Sequence, residues 1–525
     1  MRLDRLWARS SMVLILATAA LPCPAQQAAD QTSPDHSLAL SVKELQEQVQ
    51  QLRSVVSDLR TESEQYRSET LALREELRSA LAQIPKPARA EETVLQSANP
   101  SVDQGVSEAG QSESAGRLTK LEEAYDLLAG KVDDQYQTKV ESGSKYRLRL
   151  SGMVLFNLFT NRGALNTADL ADWVDGPDGL GRSNSTGLSL RQSQIGLEVF
   201  GPEIAGARTH GDLQVDFAGG FPRVPNGITA GLMRLRTGTM HFDWAHTSVV
   251  AGQDVPFFSA LSPTSFATVA EPAFAYAGNL WTWTPQIRVE HRVTLSENST
   301  MTFQGGILDG LTGEPPTYSY VRTPQAGEFS RQPAFAGRIA WSHLFFGQPL
   351  TIGAGAYSSR QNWGFGRDVN SWASTLDWTA PLGKSLQLSG EFYRGQALGG
   401  LGGGLYQSAV FTGNPTDPAT QVRGLDAIGG WGQLKLRASS KLEFNAAAGQ
   451  DNPFASQIRE FPFSAYGIGV QGTTIVRNQS ELFNVIYRPR SDLLLSAEYR
   501  HVSTHEVDNS RYSADHVNLV MGILF

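Results

Sequence analysis

The chain is short of cysteine, of charge and of long apolar runs, and each shortage excludes something. Its 525 residues hold one cysteine, Cys23, so a disulfide scaffold cannot be built. Charged residues make up 18%, below the roughly 25% of an average soluble chain. A bundle of transmembrane helices needs several apolar runs of about 20 residues, and only one short run exists, at 12–21. A net charge of -8 and a pI near 5.7 argue against a nucleic-acid binder. There is no Cys/His cluster, no G-x-S-x-G elbow and no H-E-x-x-H, so no enzyme, cofactor or metal site is expected. His501 and His505 are four apart, a spacing that makes a metal site only on a helix, and they fall at a strand end. The first 145 residues lack phenylalanine altogether, with 16 Lys+Arg against 22 Asp+Glu, while the last 380 carry 28 against 30. Two different materials are joined end to end.

The first material begins with Arg2, Arg5 and Arg9 before the apolar stretch 11–21 and small residues at 23–25. That order predicts a signal peptide over 1–25. Residues 38–84 then repeat Val42, Val49 and Val56 with Leu45, Leu52 and Leu59 in a sustained heptad. This predicts a self-associating coiled coil, roughly 70 Å long at 1.5 Å per residue. Pro85 and Pro87 stop it. Valine at a with leucine at d leans towards two strands, while Ser63 and Thr70 weaken the middle. Residues 85–116 read as a flexible linker and 117–140 as a short second helix, with Leu118, Leu121, Tyr125 and Leu128 on one face.

From residue 146 the hydrophobic period becomes two. In 146–159, Leu148, Leu150, Val154, Phe156 and Leu158 alternate with Arg147, Arg149, Ser151 and Asn157. The pattern recurs sixteen times, near 146–160, 186–200, 205–217, 230–242, 246–254, 281–294, 299–309, 333–345, 349–359, 369–381, 384–395, 423–438, 441–450, 474–488, 491–502 and 513–525. Short connections alternate with long ones throughout, including 360–368 and 503–512 among the long. This is the pattern of an all-β transmembrane β-barrel over 146–525, of about sixteen antiparallel strands, with an outer-membrane location and outer-membrane lipid as its partner. Val517, Leu519, Met521, Ile523 and the terminal Phe525 share one face, the kind of segment that the barrel assembly machinery reads. Aromatics near strand ends, among them Trp244, Trp341, Phe346, Trp281 and Trp283, suit two interfacial girdles.

A sixteen-strand barrel leaves an aqueous lumen. Opposite the apolar faces stand Arg147, Arg149, Arg208, Arg234, Arg236, Arg288, Arg292, Arg338, Lys435, Arg437 and Arg500, the pore-lining candidates. Acids gather instead in loops, as with Asp169, Asp172, Asp175 and Asp178. The barrel has 25 arginines and 3 lysines, and arginine suits carboxylate and phosphate. The pattern predicts a passive channel biased towards anions. The spacing of Arg288, Glu290 and Arg292, and of Glu498 and Arg500, also fits arginines that pair with lumen acids and brace the wall. The loop 256–279, rich in Ala and Phe with Phe257, Phe258, Glu271 and Phe274, is the candidate to fold inward and narrow the pore. The run GGLGGGL at 399–405 reads as a mobile loop tip, without the context of a phosphate cradle. A second functional reading is a structural envelope protein whose coiled coil links the outer membrane to the cell wall.

The layout resembles the DcaP-like trimeric porins within the group of phosphate-selective porins O and P. The resemblance rests on RQSQIGLEVFGP (191–202), GDLQVDFAGGF (211–221), AGQDVPFF (251–258) and PQIRVE (285–290). It implies a homotrimer in a Gram-negative-type outer membrane, with the coiled coil in the periplasm. Two positions depart from the pattern: Gln194 replaces a basic residue and Val215 an acidic one. With only Lys384, Lys435 and Lys441 in the barrel, the lysine-rich site of phosphate-specific members is not matched, and small organic anions such as dicarboxylates are the expected solutes.

Overall fold

The computed structural model describes residues 139–140, 147–176, 180–315, 321–464 and 475–525. The expected signal peptide, coiled coil and linker lie outside the described residues, as does all but the end of the second helix. Lys139–Val140 forms a short antiparallel pair with Arg149 and Leu148. The helix expected over 117–140 therefore does not extend to its last two residues, whose backbone is claimed by the sheet edge.

The remainder is a closed antiparallel wall. In chain order its strands are β1 (Arg147–Arg162), β2 (Asn184–Ser189 and Gln194–Phe200), β3 (Arg208–Asp216), β4 (Arg234–Asp243), β5 (Thr247–Asp254), β6 (Thr284–Ser296), β7 (Ser299–Leu308) and β8 (Ala334–Phe345). There follow β9 (Gln348–Asn362), β10 (Asp368–Pro381), β11 (Leu386–Gln396), β12 (Asp426–Arg437), β13 (Leu442–Pro453), β14 (Ile475–Arg490), β15 (Leu493–Glu506) and β16 (Arg511–Leu524). Each pairs with its neighbour, and β16 returns to β1 in register from Met153↔Leu524 to Arg162↔Asp515. The terminal Phe525 seals the seam: its N–H donates to Gly152 O at 3.0 Å and its C=O accepts from Gly152 N–H at 2.8 Å. Closure leaves no unpaired edge.

Strict alternation builds the wall. Val154, Ile287, Phe335, Met521 and Ile523 are each half exposed or more on the outer face. Their neighbours one residue along, such as Leu155, Gln286, Ala334, Val520 and Gly522, turn inward. Among the described residues no helix is long and apolar enough to cross a membrane. Tight turns join strands at one end. Phe346 (φ 53°) and Gly347 (φ 72°) carry the paired positive φ values of a type I′ hairpin, where glycine costs least.

At the other end the connections are longer, with two corrections. The expected long loops 360–368 and 503–512 shrink to 363–367 and 507–510. Polar residues such as Ser358–Asn362 continue the hairpin beyond the apolar band, because ladder pairing needs no apolar face. The glycine run at 399–405 is not a mobile tip either. Gly399, Gly400 and Leu401 are buried beside Leu398, Leu280 and Tyr393. A methyl group on Gly400 would lie 2.0 Å from Leu311 O, so glycine here permits backbone-to-backbone packing. Further loop segments form a small sheet of Ala409–Phe411, Val422–Gly424 and Phe463–Ser464.

Candidate functional site: the barrel interior

The interior is shaped by the connection between β5 and β6, residues 255–283, which folds into the barrel. It is apolar enough to leave water, and the wall supplies hydrogen bonds for its backbone. On the outgoing limb, Thr375 Oγ1 of β10 donates to Phe258 O at 2.6 Å and Ser259 Oγ donates to Glu391 of β11. Thr264 N–H donates to Gln433 Oε1 of β12 at 2.6 Å, and Asn484 of β14 donates to Thr264 O at 2.8 Å. At the tip, Ser265 Oγ donates to Glu498 Oε2 of β15 at 2.6 Å, and Asn157 of β1 donates to Phe266 O at 3.4 Å. Arg236 and Arg234 of β4 donate to Val269 O at 2.7 Å and Ala270 O at 2.6 Å. The returning limb lies so close to β12 and β13 that a Cβ on Gly278 (φ +96°) would meet Gly430 O and Gln450 O at 2.4 Å.

The Arg-Gln-Ser run at 191–193 has a local explanation here. It interrupts β2, and its three side chains each replace something lost. Ser193 Oγ accepts from Leu155 N–H at 3.0 Å, patching the ladder of β1. Gln192, fully buried, accepts from Val269 N–H at 2.6 Å and donates to Ala267 O at 2.7 Å. Arg191 holds Asp169 bidentately, both bonds at 2.6 Å. The interruption thus clamps the loop tip and also the first loop, whose hairpin Leu165–Thr167/Leu170–Val174 packs on Val502 and Ala514.

Where the first and third loops face each other, the carboxyls are perturbed. Burial, reinforced by the nearby Asp172 charge, pushes Glu271 up to about 8. Burial also raises Asp172, to about 6, against the hydrogen bond from Asn166. Burial opposes ionisation of Asp169 as well, but its bonds to Arg191 outweigh this and hold it below the usual range. One acid is therefore locked in an ion pair and another held neutral near pH 7. Asp178 lies outside the described residues.

The pore-lining candidates divide in two. Eight of the eleven pair with acids on the wall. Arg149 meets Glu198 at 3.1 Å, and Arg234 and Arg236 share Asp216 at 2.8 and 3.0 Å. Arg288 bridges Asp254 and Glu290, both at 2.8 Å, while Lys435 and Arg437 lie 3.4 and 3.9 Å from Glu443. Arg338 grips Asp377 bidentately at 2.6 and 2.8 Å across an intervening strand. That span is open because β9 places Gly353 between them, where a Cβ would be 2.5 Å from both side chains. Arg500 is buried against Glu498 at 2.7 Å and Thr268 at 3.1 Å. The expected separation of interior arginines from loop acids does not hold, because register puts a carboxylate beside most of them. Arg147, Arg208 and Arg292 are exposed and make no ion pair among the described residues. All three lie towards the tight-turn end, and Arg147 rests over the Phe200 ring, 5.8 Å from its centroid.

The loop candidates Phe257, Phe258 and Phe274 are buried against the wall. Trp281 and Trp283, expected in a girdle, precede β6 instead. Trp283 stacks under Arg234 and Arg236 at 4.8 and 4.7 Å, since its indole face suits two crowded guanidiniums. A cluster that sequence reading missed is His210, His241 and Asp243 on β3 and β4. The inward parity of His210 was readable, but that of His241 and Asp243 was not: the register skips Arg236 between Gln214↔Thr237 and Val215↔Leu235, and this bulge turns them to the face that Arg234 and Arg236 also share, against strict alternation.

The barrel is similar to the crystal structure of the outer membrane channel DcaP of Acinetobacter baumannii, with a TM-score of 0.56 at 13% identity over 74% of this chain and 100% of that one. The anion-selective porin from Comamonas acidovorans gives 0.46 at 12% identity, over 73% of this chain and 100% of that one. Pseudomonas putida OprB gives 0.46 at 10%, over 72% of this chain and 94% of that one. At these identities the likeness is one of fold. No family model matches the chain, and no curated protein does.

Proposed function

We propose that the chain is an outer-membrane porin for passive diffusion of small hydrophilic solutes, with a preference for anions. The observation that carries this reading is a closed sixteen-strand wall, apolar outside and polar inside, with one loop stitched across its interior. A sheet with an apolar outer belt and no free edge is soluble only in lipid. Beside the apolar clusters that seat the loop, the wall turns Asn157, Gln433, Asn484, Glu498 and Arg500 inward, more polar and charged groups than a packed core holds. Most interior charges cancel in pairs, so the anion preference is assigned to Arg147, Arg208 and Arg292 at the tight-turn mouth rather than to all eleven candidates. Small organic anions such as dicarboxylates fit guanidinium recognition. Loop 255–283 acts as the constriction, and the resemblance to the DcaP-like trimeric porins, against the two-strand lean of the heptads at 38–84, supports a homotrimer with its coiled coil in the periplasm. The test is planar-bilayer recording in a salt gradient. The reading predicts discrete steps and a reversal potential of anion-selective sign, reduced when Arg147, Arg208 and Arg292 are changed together to Gln. Absence of steps above background overturns conduction; an unchanged reversal potential in the triple variant overturns the assignment of selectivity.

A further inference from the structure

We propose that His210, His241 and Asp243 form a binding site for a divalent transition-metal ion of the zinc class on the inner wall of the barrel. His210 and His241 are directly opposed in the β3–β4 register. Their rings lie nearly parallel, 9° apart in plane, with centroids 4.2 Å apart. Asp243 is the third member: its Oδ2 lies 3.4 Å from His210 Nδ1. A tetrahedral ion with bonds of about 2.0–2.1 Å needs ligand atoms roughly 3.3 Å apart, so this edge already has its length. One ligand atom from each of the three residues falls within 4.8 Å of the others; because an ion lies in the plane of each imidazole it binds, binding turns one of the two stacked rings out of the stack to close the set. The side chains of His210, His241 and Asp243 keep 27%, 21% and 21% of their surface exposed, which gives water access as a fourth ligand.

Two further observations separate this cluster from the ion pairs around it. The interior acids Asp216, Asp254, Glu290, Asp377, Glu443 and Glu498 each hold an arginine or lysine. Among the described residues Asp243 and Asp212 form ion-pair contacts only with histidine, and Arg208, opposite Asp243 in register, makes no ion pair with it. The second acid also sits where an outer partner belongs. Asp212 Oδ1 is 3.3 Å from His241 Nε2, and Thr239 Oγ1 is 2.7 Å from the same nitrogen while donating to Asp212. Such a partner fixes the ring and its tautomer, leaving the other nitrogen for the metal. Imidazole with carboxylate suits zinc, copper(II) or nickel.

The experiment uses the full chain folded in detergent, stripped with EDTA and titrated with Zn²⁺ by calorimetry. It should bind one equivalent that is lost or at least about tenfold weaker in His210→Ala, His241→Ala and Asp243→Asn, and about tenfold weaker in Asp212→Asn. His501→Ala, whose ring pairs with Asp515 at 2.8 Å, should bind as the unaltered chain does. Co²⁺ added to the unaltered chain should give the visible d–d absorption of a nitrogen- and oxygen-ligated ion, a readout that needs no variant to fold. No zinc uptake, no cobalt spectrum, or uptake undiminished in His210→Ala and His241→Ala each overturns the site.

Discussion

Arg500→Met probes how the inward loop is held. The Arg500 side chain is 2% exposed and Glu498 is 0% exposed. Arg500 Nε and Nη2 donate to Glu498 Oε1 at 3.2 and 2.7 Å, and Nη2 also donates to Thr268 Oγ1 at 3.1 Å. Glu498 Oε2 accepts from Ser265 Oγ at 2.6 Å and Asn484 Nδ2 at 3.1 Å. Removing the guanidinium leaves a carboxylate out of bulk water with two neutral donors. Breaking a buried pair by deleting one partner costs about 3–5 kcal/mol. Adding Glu498→Gln removes the stranded charge while keeping an acceptor for Ser265 and Asn484, so the double variant should recover most of that loss. Guanidinium unfolding of the barrel in lipid vesicles measures both. A single-variant loss under about 1 kcal/mol, within the range of exposed pairs, or a double variant no more stable than the single, refutes the reasoning.

Two more outcomes follow from the same interior. Glu271 titrates near 8 in the folded chain against 4.5 for the free group. The folded state thus holds a proton that the unfolded state has lost, so its contribution falls as pH rises from about 4.5 to 8 and levels off above. Glu271 and Asp172 are then both charged, among Arg191, Arg234 and Asp216; hydrogen exchange over 264–278, corrected for intrinsic rates, should speed between about pH 5 and 8 and level off above, and Glu271→Gln should flatten that change. Gly353→Ala should force Arg338 and Asp377 apart and cost about 1–3 kcal/mol by overpacking, read as a lower unfolding midpoint, whereas Gly305→Ala, with open space at its Cβ, should cost less.

The wall was legible because its cause is local. Alternation such as Val517, Leu519, Met521 and Ile523 against Ala514, His516, Asn518 and Val520 states which face is which with no knowledge of neighbours, and the sixteen strands fall close to their expected bounds. What was not legible depends on register and on distant partners. Arg338 meets Asp377, 39 positions away, only because β9 offers a glycine between them. The glycine run at 399–405 looks flexible by composition, and its burial comes from Leu311 and Leu280, far off in sequence. The loop was singled out, over 256–279, by its Ala and Phe content, but the residues that pin it, Gln192, Arg236, Gln433 and Glu498, carry no local mark of that role. The pairing of most of the eleven candidates moves the basis for selectivity from a count of bases to the three candidates, Arg147, Arg208 and Arg292, that make no ion pair among the described residues.

A water-filled barrel narrowed by loop 255–283 is tested by single-channel conductance of the full chain beside a variant in which 260–278 is replaced by a short Gly-Ser link. Both should give discrete steps, larger when the loop is shortened. Equal conductance in the two would contradict the constriction, and silence from both folded barrels would contradict the pore itself.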